Sequence, residues 1–127
     1  MSSTSAIPVL TYHAMNVNGV DYADNDHVAL AADLAWLHAH GWRIVPLAAA
    51  VAALFEGGAA LPPRSCAISF DDGSWFDWHD LDHPVYGRQR GLAGILRDFR
   101  DRHGVAVHAT SFVIVSPDAR AELDRTC

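Results

Sequence analysis

Short apolar runs alternate along this chain with stretches of helical periodicity. Ile7 to Tyr12 (IPVLTY) is a compact β-type run. Asp26 then stands as an N-cap for a helix over His27 to His40, with Leu30, Leu34 and Leu37 at helical spacing and Ala31 and Ala35 beside them. Gly41 is placed to stop it. Trp42 to Val45 reads as a second short strand, and Leu47 to Phe55 as a short Ala-rich helix ended by Gly57-Gly58. Ser65 to Phe70 (SCAISF) is mostly apolar without alternation, the pattern of a parallel strand buried on both faces. A polar, aromatic stretch from Asp71 to Gly87 follows. Arg88 to His103 is amphipathic, with Leu92, Ile95, Leu96 and Phe99 on one stripe and Gly104 closing it. Val105 to Val115 holds a fourth strand, densest in β-formers at Thr110 to Val115. Ser116-Pro117-Asp118 opens a last helix, as N-cap, N1 proline and first-turn acid.

Strands alternating with helices predict α/β architecture with parallel (β/α) units, four by this count. A closed eight-unit barrel takes about 250 residues. The 127 residues here fit one domain, and four units make an open sheet or part of a barrel.

Composition narrows the function classes. Half of the chain is apolar, and the net charge is −6 with no basic run, which argues against a cationic nucleic-acid or membrane-binding face. The longest apolar run, Ile44 to Phe55, contains Pro46 and falls short of the ~20 residues a spanning helix needs. The N-terminus MSSTSAIPVLTYH carries neither a basic region nor a long apolar one, so the expectation is no secretory signal and a cytoplasmic location. Cys66 and Cys127 form no ligand-spaced set.

The chemistry concentrates at Ser69-Phe70-Asp71-Asp72-Gly73. In β/α folds catalytic groups gather in the loop at a strand's C-terminal end. Adjacent carboxylates in one cleft repel unless a cation or proton lies between them, so one can bind a metal while the other takes a proton. The alternative reading of the same residues is a solvated Asp-Asp-Gly turn. His13 ends the first strand on the same side, facing substrate or hydrogen-bonded at the rim. Trp75, Phe76, Trp78 and Tyr86 either offer faces on which a ligand ring can stack or pack their segment onto the fold.

SFDDG after a buried strand resembles the first motif, TFDDG, of the polysaccharide deacetylase family, the NodB-homology, carbohydrate esterase type. Other segments agree in order: PVLTYH (Pro8–His13), LAWLHAHGWRIVPL (Leu34–Leu47), LPPR (Leu61–Arg64) and ATSFV (Ala109–Val113). The resemblance implies part of a deformed (β/α) barrel of seven or eight units and a divalent metal, usually zinc. It also implies hydrolysis of N- or O-acetyl groups on a carbohydrate substrate, a reaction at carbon–nitrogen bonds when the acetyl group is an amide. It makes Asp71 the general base and Asp72 a metal ligand.

The family's H-x-x-x-H motif, its Arg-Pro segment and its final Leu-x-His do not occur before Cys127. The resemblance is therefore to the N-terminal half of such an enzyme. His79-Asp80-Leu81-Asp82-His83 is itself H-x-x-x-H, and on a helix its two imidazoles would share a face near Asp72; the other reading is a polar loop at the cleft mouth. Two further functions stay open: a non-catalytic carbohydrate-binding module, and a deacylase of non-sugar amides.

Overall fold

A computed structural model describes residues 6–126. The N-terminal reading rests partly on residues 1–5 and the cysteine reading partly on Cys127; those residues lie outside the described range. The elements run β1 (Val9–Tyr12), α1 (Asp26–Ala39), β2 (Arg43–Ile44), α2 (Leu47–Phe55) and β3 (Ser65–Asp72). A single 3₁₀ turn (Trp75–Asp77), a hairpin of β4 (Leu81–His83) and β5 (Gly87–Gln89), α3 (Leu92–His103), β6 (Thr110–Val113) and α4 (Pro117–Thr126) follow.

β3 is the centre of the sheet. β1 pairs with it in parallel, from Val9 opposite Ala67 to Tyr12 opposite Phe70. β2 pairs with its first two residues and β6 with its last four, both also parallel. The carbonyls of Cys66 and Asp72 accept from Val45 and Ile114, while the Ala67 N–H donates to Pro8. Strand alternation therefore sets β2 and β6 on the same edge of β3, opposite β1. The result is the expected α/β architecture with parallel (β/α) units, an open four-stranded sheet among the described residues.

Tyr12, Ile68 and Phe70 face the helices. They pack with Leu30 and Leu34 of α1 and with Leu92, Ile95, Leu96 and Phe99 of α3. Burying each such side chain contributes about 1.5–3 kcal/mol, and this packing fixes α1 and α3 side by side on one face. On the other face Ala67 and Ser69 of β3 are buried, as expected of a strand covered on both sides, while Val9 of β1 and Phe112 of β6 are exposed. Only β3 itself is fully buried through Phe70.

Several boundaries move for physical reasons. The N-cap of α1 is Asn25, not Asp26; Asn25 Oδ1 accepts from the His27 and Val28 amides. Asn25 is buried because its Nδ2 donates to Gln89 Oε1 and the Gly19 carbonyl. Asp26 is left to turn back toward β1. α3 begins at Leu92 instead of Arg88, because the preceding residues are spent on the β4–β5 hairpin. The Asp80 carboxylate takes the Gly91 N–H at the helix start, 2.8 Å away. β3 runs two residues further than SCAISF, through Asp71 and Asp72, because β6 pairs with them.

Candidate functional site

The end of β3 and the segment after β1 meet at the C-terminal edge of the sheet. Asp71 Oδ2 lies 3.4 Å from His13 Nε2, with both side chains partly open to solvent (39% and 45% exposed). The residues on the β1 side are held by Asp26, whose two oxygens accept from the His13 amide at 2.7 Å and from Asn16 Nδ2 at 2.6 Å. His27, buried on α1, sets its ring nitrogens against the carbonyls of Ala14 and Arg90, tying this segment to the start of α3. His13 and Asp71 thus project from a fastened scaffold. Together they form a carboxylate–imidazole pair that can accept or hold a proton at an open rim.

Asp72 is in the left-handed region, φ +79°, unusual for a residue with a side chain. Gly73 follows at φ +72°. The chain turns sharply here and is gripped from α4. Arg120 Nη1 donates to the Gly73 carbonyl at 2.8 Å and the Asp72 carbonyl at 3.3 Å, and its Nη2 donates to Asp124 at 2.9 Å. A Cβ on Gly73 would come within 2.7 Å of Val113 Cγ1, so the glycine is required by space as well as by φ.

Asp77 closes the 3₁₀ turn that follows. It is 2% exposed, and neither carboxylate oxygen has a hydrogen-bond partner among the described residues. Burial, reinforced by the charge of Asp72, pushes its pKa up to about 6, against the partial relief given by His27, Arg120 and His13. Sequence reading passed over Asp77 and Arg120. The only hint of the first was an acid set within a run of aromatics, Trp75-Phe76-Asp77-Trp78. The second gave no hint, because an arginine on a polar helix is unremarkable.

The aromatic residues divide. Phe76 is buried in the core, while Trp75 and Trp78 are 60% and 65% exposed. Trp75 stacks on His79 with ring centroids 4.0 Å apart. His79 and His83 do not share a helix: His79 follows the 3₁₀ turn and His83 ends β4. His83 Nδ1 is occupied, accepting from the Val85 and Tyr86 amides at 3.1 Å. Among the described residues no group of three or more His, Cys, Asp or Glu side chains is gathered to hold a metal ion. A catalytic zinc takes three protein ligands. Asp72 is therefore at most a single ligand, and the donors among the described residues do not complete a divalent-metal site.

No helix among the described residues is long and apolar enough to cross a membrane. No protein-family model matches the chain. No curated protein matches it either. Among solved structures it is similar to a de-N-acetylase from Aggregatibacter actinomycetemcomitans, at 18% identity and a TM-score of 0.42, over 83% of this chain and 53% of that one. The chain spans about half the length of that structure.

Proposed function

We propose that this chain is the N-terminal portion of a hydrolase that removes acetyl groups from N- or O-acetylated sugars, of the polysaccharide deacetylase type. The observation that carries the reading is the Asp71–His13 pair at the end of the central strand, within the SFDDG segment that resembles the family's first motif. In this reading Asp71 takes the proton from the water that attacks the acetyl carbonyl. His13, at 3.4 Å, holds the Asp71 carboxylate in place. Acetate leaves, and the sugar keeps a free amine or hydroxyl. Asp72 is the carboxylate assigned to a divalent metal, and Trp75 and Trp78 are the rings on which the sugar stacks.

A second reading, a carbohydrate-binding module without catalysis, is favoured by one observation. Two tryptophans stand exposed beside a donor set too small for a metal among the described residues. One experiment separates the two. Protein purified from its native source is mixed with N-acetylated chitooligosaccharide and zinc, and acetate release and oligosaccharide binding are followed together. Release above the no-enzyme rate supports the hydrolase. Binding without release supports the module. A deacylase of non-sugar amides would release acetate only from acetylated amines that carry no sugar.

A further inference from the structure

The last turns of α1 and α3 meet through two histidines. The His38 and His103 ring centroids are 4.1 Å apart, with the ring planes tilted by 36°. Both rings also pack against Phe99, His103 at 4.7 Å and His38 edge-on at 5.7 Å. Phe99 is buried, His103 is half-buried and His38 is exposed. Neither imidazole has a hydrogen bond or an ion pair among the described residues. The charged groups around them offer no relief. Arg102 precedes His103 on α3 and lines with it a cavity of about 640 Å³. Asp98 and Arg90 line the same cavity, but Asp98 is taken by Arg90 at 3.1 Å. His38 borders a second cavity, of about 460 Å³, together with Arg43 and His108.

Uncharged rings tolerate such a contact. One proton is accommodated, because each ring lies in the last turn of its helix, where a cation suits the dipole. A second proton would set two like charges in contact beside Arg102, and that is disfavoured. Burial, with His38 and Arg102, already holds His103 below the ordinary histidine range. The contact is therefore stable with at most one charge. We propose that the His38–His103 contact is a pH-sensitive latch between α1 and α3. Uncharged, the two rings close the helix ends over Phe99. Doubly protonated, they repel, the ends part, and Phe99, which lines both cavities, opens to solvent. The sign follows from His103, whose proton the folded chain holds less tightly than the unfolded one. The latch contributes fully above the ordinary histidine range and is lost as pH falls through it. Asp77 acts with the opposite sign, so the helix ends report the latch and overall stability does not.

The His103 ring signal is followed by NMR from pH 8 to 5 in the wild type, His38→Gln and Arg102→Gln. Amide hydrogen exchange in the last turns of α1 and α3 is measured at both ends of that range, corrected for the intrinsic effect of pH. His103 should titrate below about 6.5 in the wild type and move up toward that value in His38→Gln. Protection of the helix ends should fall at least tenfold from pH 8 to 5 in the wild type and in Arg102→Gln, and hold in His38→Gln. His38 is exposed, so its variant keeps the fold. A His103 midpoint unmoved by His38→Gln, or protection that does not change with pH, overturns the proposal. So does a fall that persists in His38→Gln or disappears in Arg102→Gln.

Discussion

The Arg120 guanidinium donates to the Gly73 carbonyl at 2.8 Å, so the last helix holds the turn that carries Asp72. The two residues are 47 positions apart, and the contact joins α4 to the end of the central strand. Arg120→Ala should destabilise the fold by roughly 1–3 kcal/mol, the range for hydrogen bonds to charged groups. Its partner Asp124 is exposed and would add little of its own. Denaturant unfolding measures the loss, and an Arg120→Ala midpoint equal to wild type would remove the clamp from the account.

The left-handed backbone at Asp72 makes an opposite prediction. Asp72→Gly relieves a φ of +79° and should stabilise by about 1 kcal/mol. Asp72→Ala removes the same charge but keeps the strain, so it should fall below Asp72→Gly by that margin. Gly73→Ala should be clearly destabilising, because the added Cβ meets Val113 and the Arg120 guanidinium. Equal unfolding midpoints for the glycine and alanine variants at position 72 would count against the strain.

Asp77 sets a pH dependence. Its folded pKa, raised to about 6 from 3.8, means the native state binds the proton more tightly than the unfolded chain. The corresponding stability is fully present below the unfolded value. It is lost as pH rises through about 6 and stays lost above it. Asp77→Asn should flatten this fall and gain up to about 3 kcal/mol at neutral pH, less whatever the buried amide costs. Unfolding curves of both proteins from pH 4 to 8 test it; parallel profiles across that window would refute the burial of a charged Asp77.

Trp75 and Trp78 should separate binding from folding. Both are exposed, so changing either to Ala should move stability by no more than about 0.5 kcal/mol. Under the proposed function each change weakens binding of an N-acetylglucosamine oligomer several-fold, read by calorimetric titration. Unaltered affinity in the double variant would return these rings to a packing role.

The parts legible in the sequence are those fixed by strong local patterns. SCAISF is mostly apolar and does not alternate because β3 is buried between neighbours. The Leu92, Ile95, Leu96, Phe99 stripe is the face of α3 that packs on the sheet. The closeness of Asp71 and His13 was readable because His13 follows β1 and Asp71 stands near the end of its parallel neighbour β3. The hairpin was not, since β4 and β5 have three residues each and are charged. They are held locally by Arg88 to Asp80 and Asp82, and at long range by buried Gln89 on Asn25. The choice of Asn25 over Asp26 as cap depends on the Gln89 pairing, because both residue types cap equally well. Arg120 and Asp77 take their roles from tertiary position alone, which no local spacing encodes.

The proposed function rests on Asp71 as the base of an acetyl-removing hydrolase. The most direct test is acetate release from N-acetylated chitooligosaccharide by the natural protein, made in its own cell with and without Asp71→Asn. The account predicts release by the wild type and loss of at least a hundredfold in the variant, with binding and unfolding midpoint unchanged. Turnover retained in Asp71→Asn, or none in the wild type under any divalent metal, would contradict it.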